Sequence, residues 1–225
     1  MNKEPSFKIA AGVVSLYVLC LFIPTFDIVA TYKINLYFFS LPFGVAAFIF
    51  PAIYPLADSI TEVYGKRLSY YLVLTCYIVV IVFSSINNAL LSQSKDHALY
   101  SFMLGTSVLI TIVGPISYFT TAIFNITFLN RLKIKMRGKH FIFRSLICSG
   151  ISEIIMSAVI YPIVFYHQGM KYALMLGLGT CIVKILITIP MVFVAKFLVI
   201  LYRYIDGIEF SPYSESLAEF SKINS

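Results

Sequence analysis

Six times along this chain, charged residues all but vanish for about 20 residues at a stretch. The runs fall at 7–30, 36–56 with a polar extension to 64, 68–87, 99–129, 145–166 and 172–201. A hydrocarbon layer about 30 Å thick needs roughly 20 apolar residues per crossing helix. Each run meets that length, so each is expected to cross a bilayer. Helices are expected because a backbone in lipid must satisfy its polar groups within the segment. A membrane β-barrel would show alternating strands of about ten residues, and this sequence has none of that pattern. The fold class that follows is an all-α polytopic membrane protein with six transmembrane helices. Six spans can form two three-helix halves of inverted topology, because an odd number of helices per half inverts the second.

Composition agrees with lipid as the solvent. Hydrophobic residues make up 60% of the 225 positions and charged ones 12%, with a mean hydropathy of +0.89. Soluble domains sit near about 45–50% and 25%. A cytosolic enzyme, a secreted disulfide scaffold and a disordered chain are all excluded. The fourth run is long for one span and carries Gly114–Pro115 near its middle, so a tilted or broken helix is expected there. Residues 1–203 form the membrane domain and 204–225 a polar cytoplasmic tail.

The net charge of +7 is consistent with orientation rather than nucleic-acid binding. Five of the 17 basic residues crowd between Arg131 and Lys139, flanked by apolar runs. With six spans and the N-terminus inside, thirteen Lys and Arg fall on one side and only Lys33, Lys95 and Lys171 on the other. The positive-inside rule then puts both termini in the cytoplasm. Lys3 and Lys8 precede the first run as in a signal peptide, but its span length and lack of a cleavage pattern mark it as the first helix. Cys20, Cys76, Cys148 and Cys181 all lie in apolar runs without metal or redox spacing. His97, His140 and His167 are scattered in or beside loops. No metal or cofactor is expected.

Chemistry is expected where ionisable groups sit at membrane depth, since each costs about 2.5–3.5 kcal/mol there. Asp58 and Glu62 are four residues apart and share a helical face. They follow Pro51 and Pro55, which free carbonyls, and they sit among Tyr54, Ser59 and Thr61. The bland alternative is a helix end where both acids meet water beside Lys66 and Arg67. Glu153 lies deep in the fifth run with Ser149, Gly150 and Ser157 on its side, and Lys184 lies deep in the sixth with Gly177, Thr180, Cys181 and Thr188. A lysine beside a carboxylate offsets part of the desolvation of both, so Lys184 is expected against Glu153 or the Asp58/Glu62 pair. Thr111, Gly114, Tyr118, Thr121 and Asn125 add a polar stripe on the fourth run. Four helices facing one interior with polar groups point to a cavity for a polar small molecule. There is no nucleophile–base pair, HExxH, Walker motif or intramembrane aspartyl-protease signature, so the chain is not expected to be an enzyme.

Pro55-Leu-Ala-Asp58-Ser-Ile-Thr61-Glu62-Val-Tyr64-Gly65-Lys66 resembles the D-x-x-T-E-v-y-G hallmark of the queuosine precursor transporters, the vitamin uptake transporter family. Tyr118 to Lys133, the stretch from Arg144 through Ser149 to Glu153, and Lys184 with Thr188 and Pro190 resemble its fourth, fifth and sixth helices. The likeness covers roughly 36–200. One departure is Met156, where many members carry an aspartate. The resemblance implies import across the bacterial inner membrane of 7-cyano-7-deazaguanine, 7-aminomethyl-7-deazaguanine or queuine, for queuosine modification of tRNA. Asp58, Glu62 or Glu153 would accept from the base, Asn125 would read its carbonyl edge, and Tyr54, Tyr118 or Phe124 would stack on it. Proton coupling through Glu62 or Glu153 and facilitated diffusion are both open, as is a homodimer. Alternatives are the substrate-binding subunit of a modular ATP-driven vitamin importer, an integral-membrane enzyme and a scaffold subunit.

Overall fold

The structure is a computed structural model that describes residues 8–27, 31–36, 39–92 and 97–206. Most of the expected tail, Lys3, Lys95 and the side chain of Thr111 lie outside the described residues. Helix α1 spans Lys8–Asp27, α2 Ile53–Tyr64, α3 Lys66–Ser92, α4 His97–Lys135, α5 Phe141–Val164 and α6 Met170–Asp206. A two-stranded antiparallel hairpin, β1 (Thr31–Leu36) and β2 (Phe39–Gly44), precedes two short 3-10 turns at Val45–Phe48 and Phe50–Ala52. Six helices, four of them long apolar spans, make this an all-α polytopic membrane protein.

Two of the expected elements differ in form. The run at 36–56 is not a continuous helix: its first part is β2, followed by the 3-10 turns, and α2 begins only at Ile53. Ser40, Pro42 and Gly44 fall within five residues and weaken any helix there, while Tyr32, Ile34, Phe39 and Phe43 suit a pleated strand. Non-helical backbone at this depth is tolerated only against protein, and β2 lies against α6. The Gly44 N–H donates to Thr180 Oγ1 at 3.0 Å. A Cβ on Gly179 would stand 2.1 Å from the Pro42 carbonyl oxygen, so the two backbones approach as only glycine permits.

The second crossing survives in this composite form. Gly44 meets Thr180 at one end, and at the other the Tyr64 ring lies 5.6 Å from that of Tyr202. Between Thr180 and Tyr202, α6 rises about 33 Å, a full hydrocarbon thickness. Residues 45–64 therefore run alongside α6 and parallel to it, as two even-numbered crossings must. Gly65, at φ 85°, then turns the chain into α3.

The second difference is α4. It is one unbroken helix of 39 residues with Pro115 inside it. Its length of about 58 Å exceeds the bilayer core, so it must tilt or extend beyond the lipid.

Sorting of side chains follows the solvent on each side. Ile78, Val82, Leu178, Leu186, Phe193 and Phe197 are exposed on α3 and α6 and present an apolar surface to acyl chains. Inside, Tyr17, Ile53, Tyr54, Leu56, Ile60, Ile126, Leu176 and Tyr202 are almost wholly buried. The hydroxyls of Tyr17 and Tyr118 hydrogen-bond, tying α1 to α4. Polar and ionisable groups are gathered on the axis that α2, α4, α5 and α6 enclose.

Candidate functional site

Every fourth residue from Phe50 takes the second crossing one turn further along that axis: Phe50, Tyr54, Asp58, Glu62. All four are buried. Each meets a different set of partners on α4, α5 and α6, so the interior is a stack of chemically distinct layers.

Glu62 occupies the layer nearest the basic end. Arg144 grips it with both terminal nitrogens, Nη1 to Oε2 and Nη2 to Oε1, each at 3.1 Å. Lys133 Nζ lies 3.8 Å from Oε2 and donates to the Glu62 carbonyl at 2.8 Å, while Arg203 Nη2 lies 3.7 Å from Oε1. Groups from α4, α5 and α6 thus converge on one carboxylate of α2. The Arg144 guanidinium is completed by the carbonyl of Lys139, 2.9 Å from Nε, and is wholly buried. A planar fork matched to a carboxylate, with further donors taken by the carbonyls of Lys139 and Gly138, is the arrangement that makes a buried pair tolerable.

One turn on, Asp58 sits among neutral donors. Asn125 Nδ2 and Ser145 Oγ each approach at 2.5 Å, to Oδ1 and Oδ2, and Ser149 Oγ reaches Oδ2 at 3.2 Å. Ser152 Oγ donates to Asn125 Oδ1 at 3.3 Å and fixes the amide's orientation. No Lys or Arg lies within ion-pair distance of Asp58 among the described residues.

The third layer holds Glu153 of α5 and Lys184 of α6. Lys184 Nζ is 3.0 Å from Glu153 Oε2 and 4.5 Å from the centroid of the Phe50 ring. The ammonium is thus held between a carboxylate and an aromatic face. Lys184 alone meets this carboxylate: Glu153 Oε1 has no hydrogen-bond partner among the described residues. Tyr54 closes this layer: its hydroxyl lies 2.7 Å from Thr121 Oγ1 and 3.3 Å from Met156 Sδ. Thr121 Oγ1 itself lies 2.7 Å from the Ser117 carbonyl, which takes its proton, so Tyr54 donates to Thr121. Phe50 meets the rings of Tyr54 and Tyr118 edge-on, each at 6.3 Å. Beyond lies the hairpin layer, where Tyr161 and Thr180 crowd Gly44.

Several expectations change form here. Lys184 pairs with Glu153 and not with the Asp58/Glu62 pair. Asp58 and Glu62 are buried at 0% and 2% exposure, which removes the reading of both as solvated helix-end acids. Phe124 is exposed and stacks on Phe128, so it faces away from the interior and cannot hold a base there. Asn125 spends its amide on Asp58 and Ser152. The Thr61 hydroxyl lies 2.8 Å from both the Ala57 carbonyl and Ser69 Oγ, linking α2 to α3. Tyr118 spends its hydroxyl on Tyr17. Among the described residues no group of His, Cys, Asp and Glu could hold a metal ion, and His140 and His167 are exposed.

Sequence reasoning missed Lys133, Arg144 and Arg203 as partners of Glu62 and Ser145 as a partner of Asp58. All three basic residues had been assigned to the charged rim. A signal was present for Ser145, which stands one turn before Ser149 and two before Glu153 on one helical face; Arg144 lies five and nine residues before them and shares no face with Glu153.

Long apolar helices closed around buried charge, with distinct polar layers along one axis, define a multi-pass membrane protein. The family described as "Putative vitamin uptake transporter" matches residues 44–198, and the chain belongs to that family. No curated protein and no solved structure matches it. The matched region opens at Gly44, where β2 meets α6, and includes every layer except Arg203.

Proposed function

We propose that the protein imports a queuosine precursor of the 7-deazaguanine type across the bacterial inner membrane. The candidates are 7-cyano-7-deazaguanine, its aminomethyl relative and queuine. The observation that carries this reading is the Glu153–Lys184 layer: a buried carboxylate met by a single ammonium, its Oε1 without a hydrogen-bond partner among the described residues, beside aromatic rings.

A deazaguanine presents a ring N–H and an exocyclic amine next to a carbonyl. A carboxylate can accept from the first two while a neighbouring ammonium donates to the third. Glu153 and Lys184 stand side by side in that order of charge. Such bonds are about twice as strong as neutral ones. Phe50, Tyr54 and Tyr161 supply ring faces, and base–aromatic stacking is worth about 1–3 kcal/mol. The same layer has little to offer an apolar ligand, which would leave both charges buried without a polar guest.

Uptake of the three labelled bases into liposomes containing only this chain tests the proposal. At least one base should enter without ATP. Glu153→Gln and Lys184→Met proteins that reach the membrane should take it up roughly 10- to 100-fold less well, the worth of one charge-assisted bond. Normal uptake in both variants would remove the site. Uptake that required an added ATPase would favour the modular importer instead.

A further inference from the structure

Three acids lie on the interior axis, and they differ in what holds them. Glu62 is held by Arg144, Lys133 and Arg203, and Glu153 by Lys184. Guanidinium and ammonium groups only donate. Protonating either glutamate would leave a buried cation facing a neutral acid, with the desolvation of that cation no longer offset.

Asp58 is held differently. Two of its three partners are the hydroxyls of Ser145 and Ser149. A hydroxyl donates to a carboxylate, and after a rotation about its C–O bond it accepts from a carboxylic acid. Asn125 can remain on Oδ1 in both cases. Asp58 is therefore the one acid of the three whose surroundings satisfy it with or without a proton.

We propose that Asp58 is the proton-carrying site of the transport cycle, loaded from one side of the membrane and unloaded to the other, with the Ser145 and Ser149 hydroxyls reorienting at each change. This rests on the transport reading. It differs from proton carriage by Glu62 or Glu153, both of which keep their countercharges. The step breaks no other bond: one proton enters from water, resides on Oδ2 and leaves to water.

The charged and titratable groups around Asp58 allow this. Glu62 stands one turn along α2, with Lys133 of α4, Arg144 of α5 and Arg203 of α6 directed at it. Cys148 of α5 lies beside Asp58 and Arg144. The cation surplus around Glu62 makes the ionised form of Asp58 accessible, while the neutral cradle makes the protonated form accessible as well. A sodium ion fits less well. Oδ1 faces amide hydrogens, and Oδ2 is already in contact with Ser145 Oγ at 2.5 Å.

Two measurements test the proposal. In liposomes with the membrane potential clamped at zero, the wild-type protein should concentrate its substrate about tenfold per unit of pH gradient, for one proton per molecule. Asp58→Asn should lose that accumulation and still exchange internal for external substrate. Gradient-driven accumulation by Asp58→Asn, or accumulation that follows sodium in place of protons, overturns the proposal and leaves the transport reading standing.

The second readout needs no substrate. Infrared difference spectra of the lipid-embedded protein between alkaline and acidic buffer should show the carbonyl stretch of a protonated carboxyl. That band should vanish in Asp58→Asn, persist in Glu62→Gln and Glu153→Gln, and shift in Ser145→Ala, which keeps the acid and removes one partner. A band that persists in Asp58→Asn, or that ignores Ser145→Ala, overturns the assignment. Absence of all uptake would defeat the transport reading alone, and the infrared titration would still decide the proton site.

Discussion

At the scale of single residues, the most exacting arrangement is the fork of Arg144 on Glu62. Removing one partner of a buried pair costs up to roughly 3–5 kcal/mol, and here Lys133 and Arg203 would remain near Glu62 to offset part of that loss. Arg144→Ala should therefore unfold in detergent well before the wild type. The double variant Arg144→Ala/Glu62→Gln should recover part of that loss, since no buried carboxylate is left without its principal partner. Equal losses in the single and double variants, read by thermal unfolding, would show that Arg144 stabilises through packing and not through Glu62. These acids were legible in the sequence as sites because a charge in an apolar run is costly wherever it points. Their partners were less legible. A basic residue near a helix end satisfies the positive-inside rule whether it turns outward to water or inward to an acid, and Lys133 and Arg144 turn inward. The assignment of Lys184 narrowed for a different reason: both candidate partners lay within reach by sequence, and only the packing of α5 on α6 chose Glu153.

At the scale of elements, the second crossing shows where apolar length stops being informative. A run of about 20 apolar residues measures hydrophobic length, not backbone geometry, and here a strand, two 3-10 turns and the start of a helix share one such run. What makes the strands admissible is a backbone-to-backbone seat on α6, and Gly179 is its tightest point. Gly179→Ala would push a methyl group to within 2.1 Å of the Pro42 carbonyl, an atom that cannot rotate away. The hairpin must then lift, at a cost of about 1–3 kcal/mol, the usual range for overpacking. Thermal unfolding should register that loss, whereas alanine at Gly12 or Gly150, helical positions where a Cβ meets nothing within 4 Å, should hold the midpoint or raise it. A Gly179→Ala protein as stable as the wild type would mean that the hairpin does not depend on this seat. The continuous α4 gives the complementary lesson. Pro115 removes one backbone donor, but a helix with support on both sides runs through it.

At the scale of the whole molecule, Lys133, Arg144 and Arg203 converge on the end of the second crossing. With six crossings, the second and sixth parallel, the expectation from the sequence is that both ends of the chain lie on this side. That side is expected to be cytoplasmic. A membrane-impermeant thiol reagent should label Lys171→Cys in intact cells, and Lys139→Cys only after the membrane is opened. The reverse pattern would invert the topology. The arrangement of Phe50, Tyr54, Asp58 and Glu62 at intervals of four has one more consequence. Each residue inserted into an α-helix turns everything beyond it by about 100°. A single-codon insertion or deletion between positions 50 and 62 would swing some of these side chains toward lipid while leaving others in place. No substitution elsewhere could restore their common bearing. This stretch of chain should therefore admit exchanges of side chain but no change of length.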